Sequence, residues 1–253
     1  PEIVIGNVVG SNVANILLVL GLAAVIGRDV RVDRDLMKVD LPLLAGSAAF
    51  LVVAVWNSPF TPIEGLLSLG ALAVYLHFTI SQKDVTVYEV IEDLDEVEAR
   101  VAGEPIGLVT YGLLAGSLVV VFLGAYAVVY ASVGIAAGLG VGAGFVALTA
   151  LAVGTSLPEI AVSVVSARRG RPALAVGSVL GSNVVNAFGV MGVASLFGEL
   201  AVPDSVRALG LPTMVLATVL YLFVTQDREV TRWEGATLLF LYAVFILNLF
   251  GTV

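Results

Sequence analysis

Apolar stretches about as long as a bilayer is thick follow one another along most of the chain, separated by short polar segments. A helix needs about 20 apolar residues to cross some 30 Å of hydrocarbon. That measure predicts eight spans, at 3–27, 41–56, 64–82, 106–131, 141–168, 173–197, 206–225 and 235–252. The alternation over about 10 residues that marks membrane barrel strands is not seen. The pattern predicts an all-α polytopic membrane protein.

Composition supports this. Of 253 residues, 59% are hydrophobic and only 13% charged, with a mean hydropathy of +1.04. A soluble domain carries about 25% charged residues. Cysteine is absent, which excludes disulfides and thiolate metal sites. The net charge of −8 is unevenly placed: eight acids fall between Asp84 and Glu104. In that segment Val90, Ile91, Leu94, Val97 and Val101 share one helical stripe, which predicts an acidic amphipathic connector at 83–105. An acidic loop argues against nucleic acid as a partner.

The cations set an orientation. Loops 28–40, 83–105, 168–172 and 226–234 hold 11 Lys or Arg residues, whereas the three intervening loops hold none and Arg207 lies just past the last of them. The positive-inside rule places the cation-rich loops in the cytoplasm of a plasma-membrane protein, with both chain ends outside. Trp56 and Trp233, near span ends, read as interfacial residues against membrane lipids, and Arg168, Arg169 and Arg171 as topology signals within reach of lipid headgroups.

One motif occurs twice. Residues 1–24 (PEIVIGNVVGSNVANILLVLGLAA) align without gaps on 172–195 (PALAVGSVLGSNVVNAFGVMGVAS), with 11 of 24 positions identical. Loop charge starts the first copy outside and the second inside, so the two are expected to run in opposite directions. The match extends through Leu41-Pro42 with Leu211-Pro212 and Glu64-Gly65 with Glu234-Gly235. Inverted repeats of this kind mark secondary transporters, whose ion sites lie where the repeats meet. The chain divides into a partial first repeat (1–82), the connector (83–105) and a complete second repeat (106–253). By that symmetry the intact protein is expected to carry roughly 65 further residues, a two-helix segment, before Pro1.

The candidate chemistry concentrates at 149–160, TALAVGTSLPEI. Glu159 is an acid deep inside a predicted span, where an ionisable group costs several kcal/mol unless it is paired or binds something. Pro158 lacks an N–H, which removes a helical donor from the Gly154 carbonyl. Thr155 and Ser156 add hydroxyls. Carboxylate, hydroxyls and freed carbonyls within two turns suit a hard cation, since Ca²⁺ takes about 6–8 oxygens. Asn12, Asn15, Asn183 and Asn186 bring amide oxygens, and Ser11 and Ser182 further hydroxyls. Gly6-x-x-x-Gly10 and Gly177-x-x-x-Gly181 permit close helix approach.

GTSLPE (154–159), GSNVVN (181–186) and GSNVAN (10–15) together resemble the cation/calcium exchanger superfamily, most closely its prokaryotic sodium/calcium exchangers. The resemblance covers essentially the whole chain. It implies an inverted-repeat fold of ten helices, of which eight transmembrane helices, three to ten, are present here. It implies that Glu159 is a Ca²⁺ ligand, that Thr155 and Ser156 are Ca²⁺ and Na⁺ ligands, that the Ala152 carbonyl, Ser11 and Ser182 bind Na⁺, and that Asn15 is a central amide ligand. Asn186 takes a place where members carry Asp or Asn. The transported cations would be Ca²⁺ and Na⁺, exchanged by alternating access with no organic cofactor. The family's second GTSxPE-like segment has no counterpart in this chain, so half of the ion cage is expected from the absent segment, and the chain alone is expected not to exchange ions.

Ca²⁺/H⁺ exchange is the alternative within transport. An intramembrane enzyme is the alternative of another class. A serine hydrolase wants a His base, and the one histidine, His77, falls near a span end. A zinc hydrolase wants clustered His ligands, and H-E-x-x-H does not occur. The chain is therefore not expected to be an enzyme.

Overall fold

The computed structural model describes residues 2–27, 30–31, 40–56, 59–81 and 108–251. The connector 83–105 and most of loop 28–40 lie outside the described residues. Among those described, nine helices form. They are α1 (Glu2–Gly27), α2 (Asp40–Val55), α3 (Pro62–Ser81) and α4 (Leu108–Leu139), then α5, which opens at Ala143–Val146 and closes at Ala152–Thr155, and α6 (Leu157–Arg168). α7 begins at Pro172–Val184 and ends at Met191–Ser195, and α8 (Val206–Gln226) and α9 (Arg232–Gly251) complete the chain. Two-residue strands β1 (Val30–Arg31) and β2 (Glu229–Val230) pair antiparallel.

α1, α3, α7, α8 and α9 are each long and apolar enough to cross a membrane, and α2 is a shorter apolar helix. Two differences from the predicted spans stand out. The helix expected at 106–131 continues to Leu139, so most of the loop expected at 132–140 is helical. The span expected at 141–168 is two helices, broken at Ser156.

Both outcomes have local causes. Gly134 and Gly138 sit inside α4, and the true stop is Gly140, whose φ of +69° suits a residue without a Cβ. Its N–H reaches the Ala137 carbonyl and the Val141 N–H the Ala136 carbonyl, a Schellman cap. Gly170, with φ +74°, repeats the arrangement at the end of α6, where the Arg171 N–H bonds the Ser166 carbonyl at 2.9 Å. The end of α4 and α5 meet at 117°.

Helix direction follows from close contacts. A Cβ on Gly6 would lie 2.9 Å from that of Ala147, one on Gly10 2.7 Å from that of Ala152, and one on Gly27 2.7 Å from that of Ala167. α1 therefore runs alongside α5 and α6 in the same sense. The tight turn at Gly170 then reverses the chain into α7, which opposes α1.

The matched positions occupy matched environments. Glu64 accepts from the Thr61 N–H at 2.6 Å, and Glu234 from the Thr231 N–H at 2.7 Å, so both shared glutamates close capping boxes. The next residue in each case, Gly65 or Gly235, touches a helix of the other repeat. A Cβ on Gly65 would lie 3.1 Å from the Gly192 carbonyl, and one on Gly235 2.9 Å from that of Gly21. Val30 pairs with Val230, and Phe60 bridges Leu200 at the corresponding place in the other half.

The core lies along α1 and the first part of α7, where Ile5, Val9, Val13, Ile16, Val176, Val179 and Val184 are buried. The outward faces are apolar and open: Leu66, Val74, Leu123, Phe223 and Phe240 are exposed. So large an exposed apolar surface belongs in lipid.

The tight seam between α1 and α5 is testable. G10A would press a methyl against the Leu148 carbonyl, 2.7 Å away, whereas a Cβ on Gly46 meets nothing within 4 Å. We expect G10A to destabilise the detergent-solubilised protein by about 1–3 kcal/mol and G46A, with room for its methyl inside a helix, to leave it unchanged or raise it by up to about 1 kcal/mol, read from thermal unfolding midpoints.

Candidate ion site

The break between α5 and α6 places the predicted segment against both motif helices. Ser156 has φ −89° and ψ 0°, and its N–H bonds the carbonyls of Ala152 and Val153, each at 3.1 Å. The Ser156 carbonyl accepts from the Ile160 N–H at 2.9 Å and starts the next helix. Both main-chain groups of Ser156 are thus satisfied by the main chain. The Ser156 hydroxyl takes no part in capping, although serine at this position commonly does.

The segment's side chains divide between the motif helices. Thr155 Oγ1 lies 2.9 Å from Ser11 Oγ of α1. Ser182 of α7 donates to Glu159 Oε1 at 3.5 Å. The Ala152 carbonyl accepts from the Ser156 N–H at 3.1 Å and lies 3.1 Å from Thr155 Oγ1, whose single proton Asn7 Oδ1 can equally accept.

α1 and α7 cross at their asparagines. Asn12 Nδ2 donates to the main-chain carbonyl of Asn183 at 3.3 Å, and Asn183 Nδ2 donates to that of Asn12 at 3.2 Å. Asn15 Nδ2 donates to Asn183 Oδ1 at 3.0 Å, and Asn186 Nδ2 to Asn12 Oδ1 at 3.1 Å. These four bonds between the copies mirror one another, and Asn12 Nδ2 alone also reaches Met214 Sδ at 3.9 Å. Each helix widens into a π-helical turn here, at Asn15–Leu20 and Val185–Val190, and α5 does so at Ala147–Leu151. Such turns are rare and gather at functional sites.

Three oxygens among the described residues of this region are buried and have no partner: Asn15 Oδ1, Ser156 Oγ and Glu159 Oε2. A buried unpaired polar atom costs about 1–3 kcal/mol, more if charged, so a native chain retains several in one region only for a reason. All three are hard oxygen donors. No group of three or more His, Cys, Asp or Glu residues is poised around a metal among the described residues. The donors are one carboxylate with amides, hydroxyls and carbonyls.

The predicted residues thus fall into groups: Ser11 with Thr155, Ser182 with Glu159, and Asn15 and Asn186 on the amide crossing. Asn7 was missed. Its Oδ1 lies 3.2 Å from Thr155 Oγ1 and 3.5 Å from Ser11 Oγ, so it accepts from whichever hydroxyl is not donating to its neighbour. An asparagine one turn before Ser11 in an otherwise apolar helix was the available signal, but the second copy has serine there, so the repeat does not flag it. Asn12 and Asn183 had been read only as a source of amide oxygens; their bonds to each other's main chain depend on helix crossing and leave no trace in spacing.

These features, broken helices with buried oxygens between mirrored motifs, define a membrane cation transporter. A family model described as sodium/calcium exchanger protein matches residues 1–81 and 109–251. The chain belongs to the sodium/calcium exchanger family. It is 32% identical over 249 residues to an uncharacterized membrane protein of Methanocaldococcus jannaschii, covering 98% of this chain and 77% of that one. It is 29% identical over 287 residues to the sodium/calcium exchanger MaX1 of Methanosarcina acetivorans, covering 98% and 80%. Among solved structures, the sodium-calcium exchanger NCX_Mj soaked with 2.5 mM Na⁺ and 0.1 mM Ca²⁺ superposes with a TM-score of 0.67 at 31% identity, over 98% of this chain and 76% of that chain. The relatives named for an activity are transporters and not enzymes.

The uncapped Ser156 hydroxyl gives a test. Because it makes no bond, S156A should leave the ion-free thermal midpoint within about 0.5 kcal/mol of wild type, or raise it. The same substitution should reduce the stabilisation that added Na⁺ or Ca²⁺ confers on the protein.

Proposed function

We propose that this chain supplies the larger part of a Na⁺/Ca²⁺ antiporter that works by alternating access. The observation that carries the reading is the set of buried, unpartnered oxygens on Asn15, Ser156 and Glu159. A desolvated cation at this depth would satisfy all three. Thr155, Ser11, Ser182, Asn186 and the Ala152 carbonyl are the proposed further ligands. Thr155 and Ser11, hydrogen-bonded to each other, would turn their oxygens to an arriving ion.

We read the chain as eight transmembrane helices, three to ten of an inverted-repeat fold of ten, divided at 1–82, 83–105 and 106–253. The arginine-rich loops would face the cytoplasm and both chain ends the outside of the plasma membrane. The opposed α1 and α7 support the inversion. Lipid surrounds the apolar faces.

Glu159 is the one carboxylate among the residues gathered at the site. One carboxylate poorly offsets the dehydration of a divalent ion that prefers several charged ligands. We therefore propose that exchange needs a second acidic segment, the two-helix partner expected by symmetry. The 253-residue chain alone in proteoliposomes should show no saturable ⁴⁵Ca²⁺ flux. Robust exchange by it would refute the requirement.

Sodium is favoured over the proton as counter-ion, because the mirrored ligands Asn15 and Asn186 are amides that carry no titratable proton. Ca²⁺/H⁺ exchange remains the second reading, on the strength of Glu159. With the intact protein in vesicles at clamped pH, Ca²⁺ uptake should follow an imposed Na⁺ gradient and vanish without it. Uptake that ignores Na⁺ and follows a pH gradient would reverse the choice. E159Q should abolish uptake in either case, and undiminished uptake would remove Glu159 from the site.

A further inference from the structure

Asn12 and Asn183 carry no ligand role in the reading above, yet they control its geometry. An asparagine amide has two faces, an oxygen that can bind a cation and an NH₂ that repels one. Packing hardly distinguishes the two orientations, so hydrogen bonds must select one.

The selection is visible at the crossing. A main-chain carbonyl can only accept. The Asn12 carbonyl therefore obliges Asn183 to present Nδ2, at 3.2 Å, and the Asn183 carbonyl obliges Asn12 to do the same, at 3.3 Å. Each side chain's Oδ1 is then turned toward the next amide. Those oxygens in turn oblige Asn15 and Asn186 to present Nδ2, at 3.0 and 3.1 Å. Asn15 is left with its oxygen on the far side, buried and unpartnered. Asn12, Asn15 and Asn183 are all buried, so solvent does not substitute for any of these partners.

We propose that Asn12 and Asn183 are positioning residues that hold the amide oxygens of Asn15 and Asn186 toward the transported cation, with the polarity of the whole relay set by two main-chain carbonyls. The inference rests on Asn15 and Asn186 being ligands. Partners that orient a metal's ligands commonly contribute about 10–100-fold in affinity without touching the ion.

The test compares one substitution in two backgrounds of the intact protein, by Na⁺ and Ca²⁺ titration of thermal stability in detergent and by concentration dependence of ⁴⁵Ca²⁺ flux. N183L removes the acceptor for Asn15 and the donor to the Asn12 main-chain carbonyl, while the Asn183 main-chain carbonyl still holds Asn12. It should raise the half-saturating Na⁺ concentration about tenfold or more. In an N15D background the side chain has an oxygen on either side and no orientation to lose. There N183L should cost less than about twofold, a strong coupling between neighbouring sites. A general packing role would make the two losses equal, and that result overturns the proposal, as does an N183L protein with wild-type ion dependence. N15L separates the two levels: if N15L leaves ion dependence unchanged, the ligand reading itself fails and the inference with it. Should N183L not fold, N183S, whose short hydroxyl does not span to Asn15, is compared in the same two backgrounds with the same expectations.

Discussion

The structure turns on the crossing of two helices that trade amide bonds to each other's main chain. Both asparagines of that exchange are buried, where an unpaired amide would be costly. The small residue before the crossing on α1 serves a second seam, since a Cβ on Gly10 would lie 2.7 Å from that of Ala152 on α5. The crossing fixes depth, rotation and direction of both motif copies at once. Everything that meets an ion in the proposed mechanism is placed relative to it: Asn15 and Asn186 by direct bonds, Ser11 and Ser182 one residue before the crossing asparagines.

The α5–α6 break complements this frame. The main-chain groups of Ser156 bond Ala152, Val153 and Ile160, so the Ser156 hydroxyl and Glu159 Oε2 are not used there. Those groups are free for other work. A helix bent by its own backbone and a crossing held by amides together leave oxygen atoms buried without partners. The chemistry of the site is thus what remains after the fold has used the donors it requires.

Much of this was legible in the sequence. The doubled GSN motif, the acid Glu159 inside a span and Pro158 pointed to the helical membrane fold and to the residues proposed for the site, because each is a costly choice in lipid. The shared Glu64-Gly65 and Glu234-Gly235 pairs marked a repeat, although their capping and close-contact roles needed coordinates. What escaped depends on three-dimensional crossing. Neither the reciprocal Asn12–Asn183 bonds nor the Asn7 contact follows from spacing along one helix. The end of α4 escaped for a local reason: five glycines lie between 134 and 144, and only Gly140 of these takes the left-handed conformation that ends a helix.

The two β bridges bear on how the chain is built. Val30 pairs with Val230, and Phe60 with Leu200, so each clasp joins segments made far apart in time on the ribosome. The early helices must enter the bilayer and wait there, their polar crossing residues unmatched, until the late ones arrive. Contacts of such long range are slow to form. Insertion machinery that shelters the waiting asparagines from lipid would therefore govern the yield of assembled protein more than the stability of any one helix.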